Sequence, residues 1–450
     1  MLIKAIISAA AILIQSAAIL TRVINIPMEM FLYPWLISRG LMQYRDFFIN
    51  HGFLLYGFLS LLSGDTGLTS LRLFYLSVLT LNLLLVLRIL WKTSSAAGFA
   101  AGTALYLLLG YQMYLNNLWD ETVITAFCLT VYLLMLGIPG KRTDTATAIL
   151  ILLASFIKPT AAALLIPVMI LRRRTVYLFV IAAGWLLPAV YYYLAGGIEE
   201  FVDNLILFNR AQGRFALLHP TNVLYRDVLF TSVIVLVAGL TVAAAGKRIR
   251  SLGLLLGFLT VSLFLSFVPC CQEFHMPPAV AFFSLFVAAV ISQSKGHHRI
   301  LYAVLVLGLL LVTYRKTAHE YFDMLPKRTD QFRNPRTGRV LGLLDLANPP
   351  AGRFYVFGNQ PEYYYLRDSQ PPTYYPVMFG FNRIYTPDIE MRVISELKNK
   401  QVEIVLIPLP VDPSFREFTV IEDYILENFH EAAAIPEAVI FRVNPSPSAK

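Results

Sequence analysis

The chain has 450 residues, of which 57% are apolar and only 14% charged, and its mean hydropathy is +0.62. Soluble domains carry about 25% charged residues, which excludes a run of ordinary soluble domains of roughly 150 residues each. The formal charge is +9, yet the basic residues sit in short clusters between apolar runs and not along one face, which excludes a nucleic-acid partner.

A bilayer core takes about 20 apolar residues per helix, and on that rule about eleven transmembrane helices are expected. They fall near 2–20, 71–90, 96–114, 120–138, 145–157, 160–171, 175–195, 228–245, 251–268, 277–293 and 300–314. The expected fold class is therefore a polytopic α-helical membrane protein with a small α/β domain at its C-terminal end. Arg88, Lys92, Lys141, Arg142, Arg172 to Arg174, Lys247, Arg248, Arg250, Lys295 and Arg299 all fall on one side of such a topology. The positive-inside rule makes that side, and the N-terminus, cytoplasmic. A cleaved signal peptide is disfavoured because no small-residue cleavage site follows the first apolar run. The longer outer segments are then 21–70 and 196–227, the membrane domain is 1–315, and 316–450 is extracytoplasmic.

The first outer segment contains Tyr44, Arg45, Asp46 and then Asn50, His51 and Gly52. A carboxylate such as Asp46 near lipid suits a general base, because reduced solvation raises its pKa toward the working range. The plain alternative is a pair of interfacial charges at Arg45 and Asp46. Before the fourth span come Asp120 and Glu121; two carboxylates at a membrane boundary are expensive unless paired. As hard oxygen ligands they suit a divalent cation, while a helix N-terminus accounts for one of them. Lys158 is the lone basic residue of the short outer turns and suits a lipid phosphate, with snorkelling as the alternative. Between Gly196 and Asp227, Arg210 and Arg214 lie four apart, share a helix face and suit an anion. The turn with Cys270, Cys271, Glu273 and His275 matches no structural zinc spacing, so His275 is read as a phosphate contact. The only other cysteine is Cys128, so no disulfide framework is expected.

From residue 320 the chain holds 17 acidic and 14 basic residues, a net of −3 against +12 for the rest. Apolar runs at Arg353–Phe357, Val402–Ile407 and Ala438–Val443 alternate with helix-like stretches at Asp388–Lys398 and Phe415–Phe429, the pattern of a small α/β domain. No phosphate-loop or dinucleotide fingerprint is present.

The order of these features resembles the GT-C integral-membrane glycosyltransferases, in the branch of the protein O-mannosyltransferases, the aminoarabinose transferases and the lipopolysaccharide-core sugar transferases. The resemblance rests on Tyr44-Arg45-Asp46 followed by Asn50-His51-Gly52, the acidic pair, the Lys158-Pro159-Thr160 break with Arg172 to Arg174 beyond, Gly196-Gly197 with Phe201, and Glu273 with His275. Phe53 replaces the proline often found after His-Gly, and Met276 replaces a common tyrosine. The resemblance implies sugar transfer, usually with inversion, from a polyprenyl-phosphate donor to an envelope lipid, glycan or protein acceptor on the extracytoplasmic face of the plasma membrane. It implies Asp46 as catalytic carboxylate, and Asp120 and Glu121 near the acceptor or a metal. Lys158 and His275, with Arg210 and Arg214, would hold the donor phosphate, and Tyr44, Arg45, His51 and Glu273 would support the site. The alternative is a multi-span transporter or flippase of a lipid-linked or anionic substrate, whose charges belong nearer the middle of spans.

Overall fold

The computed structural model describes residues 1–21, 26–63, 68–113, 118–211, 249–267, 275–294, 334–358, 360–377, 388–411 and 418–445. In chain order the helical part has α1 (Leu2–Thr21), α2 (Met28–Ser38), α3 (Phe53–Ser60), α4 (Thr69–Thr93), α5 (Ala96–Met113), α6 (Asp120–Met135) and α7 (Lys141–Ile157). A 3-10 turn (Pro159–Leu164) follows, then α8 (Leu165–Arg172), α9 (Val176–Leu194), α10 (Ile198–Val202) with a π-helical continuation (Asp203–Phe208), α11 (Ile249–Phe267) and α12 (Pro277–Gln293).

Among the described residues two helices are long and apolar enough to cross a membrane, α4 and α9. The expectation of about eleven spans is overturned. The other apolar helical stretches, at 2–17, 96–110, 159–172, 252–266 and 277–293, have 10–17 residues, and α6 and α7 have 16 and 17. The expected spans at 228–245 and 300–314 lie outside the described residues. Hydropathy fails here because it counts apolar residues without asking what they face. The α12 helix is apolar all round because it is buried all round. It packs against α4, α5, α6 and α11, so its side chains meet protein.

Small residues let α5 approach this hub. A Cβ on Gly98 would stand 2.2 Å from Ser292 Oγ and 2.4 Å from Ala288 O, and one on Gly102 would meet Ala288 and Ser284. The 145–171 region breaks where Lys158 precedes a proline. Steric clash with the ring keeps such a residue out of the helical region, and Lys158 is extended at φ −144° and ψ 115°. On its outer surface α9 exposes Phe179, Leu186, Leu187, Val190 and Leu194, and α8 exposes Ile166 and Ile170.

The C-terminal part has α13 (Pro335–Ala347), β1 (Phe354–Val356), α14 (Glu362–Leu366), α15 (Ile389–Asn399), β2 (Ile404–Pro408), α16 (Thr419–Asn428), β3 (Phe429–Ile435) and β4 (Ala438–Val443). The sheet order is β1-β2-β4-β3, with β1 and β2 parallel and the other neighbours antiparallel. Burial on both faces explains why β1 and β2 read as continuous apolar runs. Phe354, Val356, Ile404 and Leu406 join the core that includes α13, while Tyr355 and Val405 pack with Ile389, Val393, Ile421 and Ile425 of α15 and α16. Strand β3 is an exposed edge with a bulge between Glu431 and Ala433, and its mixed sequence hides it from a search for apolar runs.

This domain rests on the helical part near the first loop. Tyr365 of α14 packs edge-on against Phe31 and Trp35 of α2, and Phe48 lies among Phe208, Tyr374 and Tyr375.

Candidate active site

Five segments converge on one buried polar cluster. Successive residues on a helix diverge by about 100°, so the neighbours Asp120 and Glu121 take different partners. Asp120 Oδ2 lies 2.8 Å from His51 Nδ1. Glu121 Oε1 lies 2.6 Å from His275 Nδ1 and also accepts a hydrogen bond from Lys158 Nζ. Lys158 Nζ further donates to Leu265 O at 3.3 Å. The loop before α3, the start of α6, the end of α7, α11 and the turn before α12 are thereby joined. The Trp119 ring stands edge-on to both histidines, with centroids 5.6 Å from His51 and 6.0 Å from His275.

The His51 loop is fixed by a close backbone approach. Gly52 N donates to Ile157 O at 3.1 Å, and a Cβ there would stand 2.2 Å from Phe156 O. Glycine is required for space, since its φ of −67° suits any residue. The same contact ties the residue after His51 to the residue before Lys158.

Asp120 and Glu121 are almost fully buried, their side chains 3% and 0% exposed. Burial opposes protonation of His51, but the Asp120 charge and hydrogen bond, with Glu29 and Glu121 farther off, outweigh it and raise the His51 pKa. Charge pairing thus balances the buried ions. What is left over is a set of unpaired oxygens. Asp120 Oδ1, Glu121 Oε2, Asn82 Oδ1, Thr122 Oγ1 and Tyr56 Oη are buried with no hydrogen-bond partner among the described residues. Buried polar atoms are nearly always paired, and carboxylate and amide oxygens lack donors of the kind that sugar hydroxyls supply.

Asp46 stands apart from this cluster. Its carboxylate accepts Arg45 Nε at 2.8 Å, Arg45 Nη2 at 2.9 Å and Met42 N at 2.7 Å, closing the loop that also pairs Gln43 with Phe47. The Arg45 hydrogen bond holds its pKa below the usual carboxylate range against the effect of burial. Arg45 also reaches Ala195 O at 3.3 Å. Tyr44 is buried and donates from Oη to His51 O at 2.6 Å. Arg210 is exposed, and Arg214 and Glu273 lie outside the described residues.

Sequence reasoning passed over two members of the region. Glu29 on α2 is buried, its pKa raised by that burial and drawn back partly by His51. Asn82 on α4 donates to Thr122 O at 2.8 Å. Glu29 is the one charged residue of α2, and Asn82 is a buried amide in the middle of α4; reading by motif weighs neither.

A divalent cation does not fit the donors in place. Each carboxylate of the pair already has one oxygen committed to a cationic side chain, and among the described residues no three His, Cys, Asp or Glu side chains converge. No family model matches the chain, and no curated protein matches it.

Proposed function

We propose that the protein is a membrane-bound glycosyltransferase that moves a sugar from a polyprenyl-phosphate donor to an envelope lipid, glycan or protein acceptor on the extracytoplasmic face of the plasma membrane. The observation that carries this reading is the cluster of buried, unpaired oxygens around the Asp120–Glu121 pair, with Lys158 bound to Glu121. The order of motifs that resembles the GT-C enzymes supports the reaction class. The apolar exposed faces of α8 and α9 support a bilayer as surroundings, because soluble monomers rarely expose contiguous patches of that kind. Lys141, Arg142 and Arg172 to Arg174 stand at the ends of α7 and α8 remote from the cluster, and α7 alone spans about 25 Å. Positive charge on that side fits a site facing outward.

In this reading Asp120 Oδ1 takes the proton of an acceptor hydroxyl, with Oδ2 held by His51. The acceptor oxygen bonds to the anomeric carbon as the bond from that carbon to the phosphate oxygen breaks. The electron pair leaves with the polyprenyl phosphate, whose charge is met by Lys158. Asp120 is preferred over Asp46 because both Asp46 oxygens are engaged and its lowered pKa makes it a weak base. His275 and Arg210 are further donor-phosphate contacts in this reading.

The test is transfer by purified protein in liposomes supplied with a panel of labelled polyprenyl-phosphate sugars and envelope acceptors. Wild type is expected to label an acceptor, and Asp120→Asn to lose about 100-fold or more in rate while remaining folded. Asp46→Asn is expected to stay within about tenfold, the scale of one lost loop hydrogen bond. Wild type that neither binds nor turns over any donor would sink the reading.

A further inference from the structure

Among the described residues, Tyr374 of the C-terminal domain hydrogen-bonds to the backbone of the first loop at two places. Tyr374 is buried and carries hydrogen bonds at both ends of the residue. Its N–H donates to Glu396 Oε2 at 2.8 Å, and its carbonyl accepts Phe48 N at 2.7 Å. Its hydroxyl donates to the backbone oxygen of Tyr44 and accepts from Asn204 Nδ2 at 2.7 Å. Arg392 lies over the ring with its guanidinium carbon 3.9 Å from the centroid. A rigid side chain of the C-terminal domain is therefore wedged between the first loop and the 203–208 helix.

Tyr44 passes the contact onward. It has a positive φ of 65°, a conformation that a tyrosine keeps only where its surroundings over-determine it. Its carbonyl is held by Tyr374, its ring by Tyr192 and Phe201 at 5.2 Å each, and its hydroxyl holds the His51 carbonyl. On either side of His51 the chain is pinned as well, Asn50 O by Asn209 Nδ2 at 2.6 Å and Gly52 N by Ile157 O.

We propose that Tyr374 is a positioning residue, which through Tyr44 holds His51 in place against Asp120, so that the C-terminal domain is part of the site's framework. The role of the His51–Asp120 pair in transfer rests on the function proposed above; the mechanical link from Tyr374 to His51 does not. The groups that face His51 are Asp120 and Glu121 of α6 and Glu29 of α2, with the rings of Tyr56 and Trp119 beside it.

The link is read by following the His51 ring resonance against pH in full-length protein with isotope-labelled histidine, assigned by its loss in His51→Gln. Tyr374→Phe removes the hydroxyl but keeps the ring against Arg392, Phe48 and Tyr375. It is expected to lower the His51 midpoint by about half a pH unit, as the pairing with Asp120 loosens. Tyr44→Phe should lower it likewise, and the double variant should shift it by less than the sum, since both act on one path. In the transfer assay Tyr374→Phe should lower kcat about tenfold with KM for the donor within about twofold, the pattern of lost alignment. An unchanged midpoint in folded Tyr374→Phe overturns the proposal, as does full additivity of the two variants. A shifted midpoint in protein that transfers no sugar would uphold the link and remove the function assigned to the pair.

Discussion

Replacing Gly52 by alanine tests the tightest backbone contact in the site. The added methyl would stand 2.2 Å from Phe156 O and 2.3 Å from Ile157 O. A relaxed carbon–oxygen contact is about 3.3 Å, so one backbone must retreat by about 1 Å. Overpacking of that kind costs about 1–3 kcal/mol, and weakening the bond from Gly52 N to Ile157 O adds about 1 kcal/mol, giving a loss of about 2–4 kcal/mol. His51 moves with its neighbour, and a 1 Å misplacement in a reacting site is worth about 100-fold in rate. The matched control is Gly57→Ala in α3, where a Cβ meets nothing within 4 Å and a helical glycine gains up to about 1 kcal/mol on becoming alanine. Thermal unfolding in detergent and sugar transfer should both separate the two variants: lower melting and slow transfer for Gly52→Ala, unchanged or raised melting for Gly57→Ala. If both variants melt and turn over like wild type, the close packing of the loop on α7 does not hold.

Three further outcomes follow from the charges. Glu121→Gln leaves Lys158 without its buried counter-charge and should lose about 3–5 kcal/mol in denaturant unfolding, part of which Lys158→Met in the same chain restores. The stability that His51 contributes should be fully present below its ordinary pKa of about 6.5 and should fade as the pH rises through its higher folded value, because the folded state holds the proton longer. In Asp120→Asn that alkaline loss should vanish. Asp46 runs the other way, with a stabilisation present above its ordinary 3.8 and lost as the pH falls through its lower folded value. It should be small, since Arg45 is exposed and such pairs contribute at most about 1 kcal/mol.

The residues of the buried cluster were more legible in the sequence than the architecture around them. Asp120, Glu121, Lys158 and His275 are polar residues in apolar surroundings, and that conspicuousness has a physical cause: a buried charge survives only with a partner, so such residues gather. The partners themselves were not legible, because Asp120 finds His51 69 positions away and Glu121 finds His275 154 away. Asp46 carried the strongest sequence argument, yet the adjacent Arg45 and the turn at Met42 take up its oxygens. The count of spans failed for a different reason: Pro277–Gln293 reads the same whether it faces lipid or is enclosed by four other helices. The strands at 354–356, 404–408 and 438–443 fall on the apolar runs, whereas 429–435 has one face in water and no run to find.

The enclosure of α12 bears on how the protein is made. Ribosomes deliver α4, α5 and α6 well before residues 277–293, so the helices that wrap the hub exist for some time without it. During that interval the Gly98 and Gly102 face of α5 and the apolar sides of α4 and α6 have no counterpart, and His275, one residue ahead of Met276 at the hub's entrance, has yet to reach Glu121. Closing the bundle and completing the hydrogen bonds at Glu121 therefore both wait for residues 275–293. A chain stopped short of residue 275 would carry Glu121 and Lys158 without the third member of their cluster.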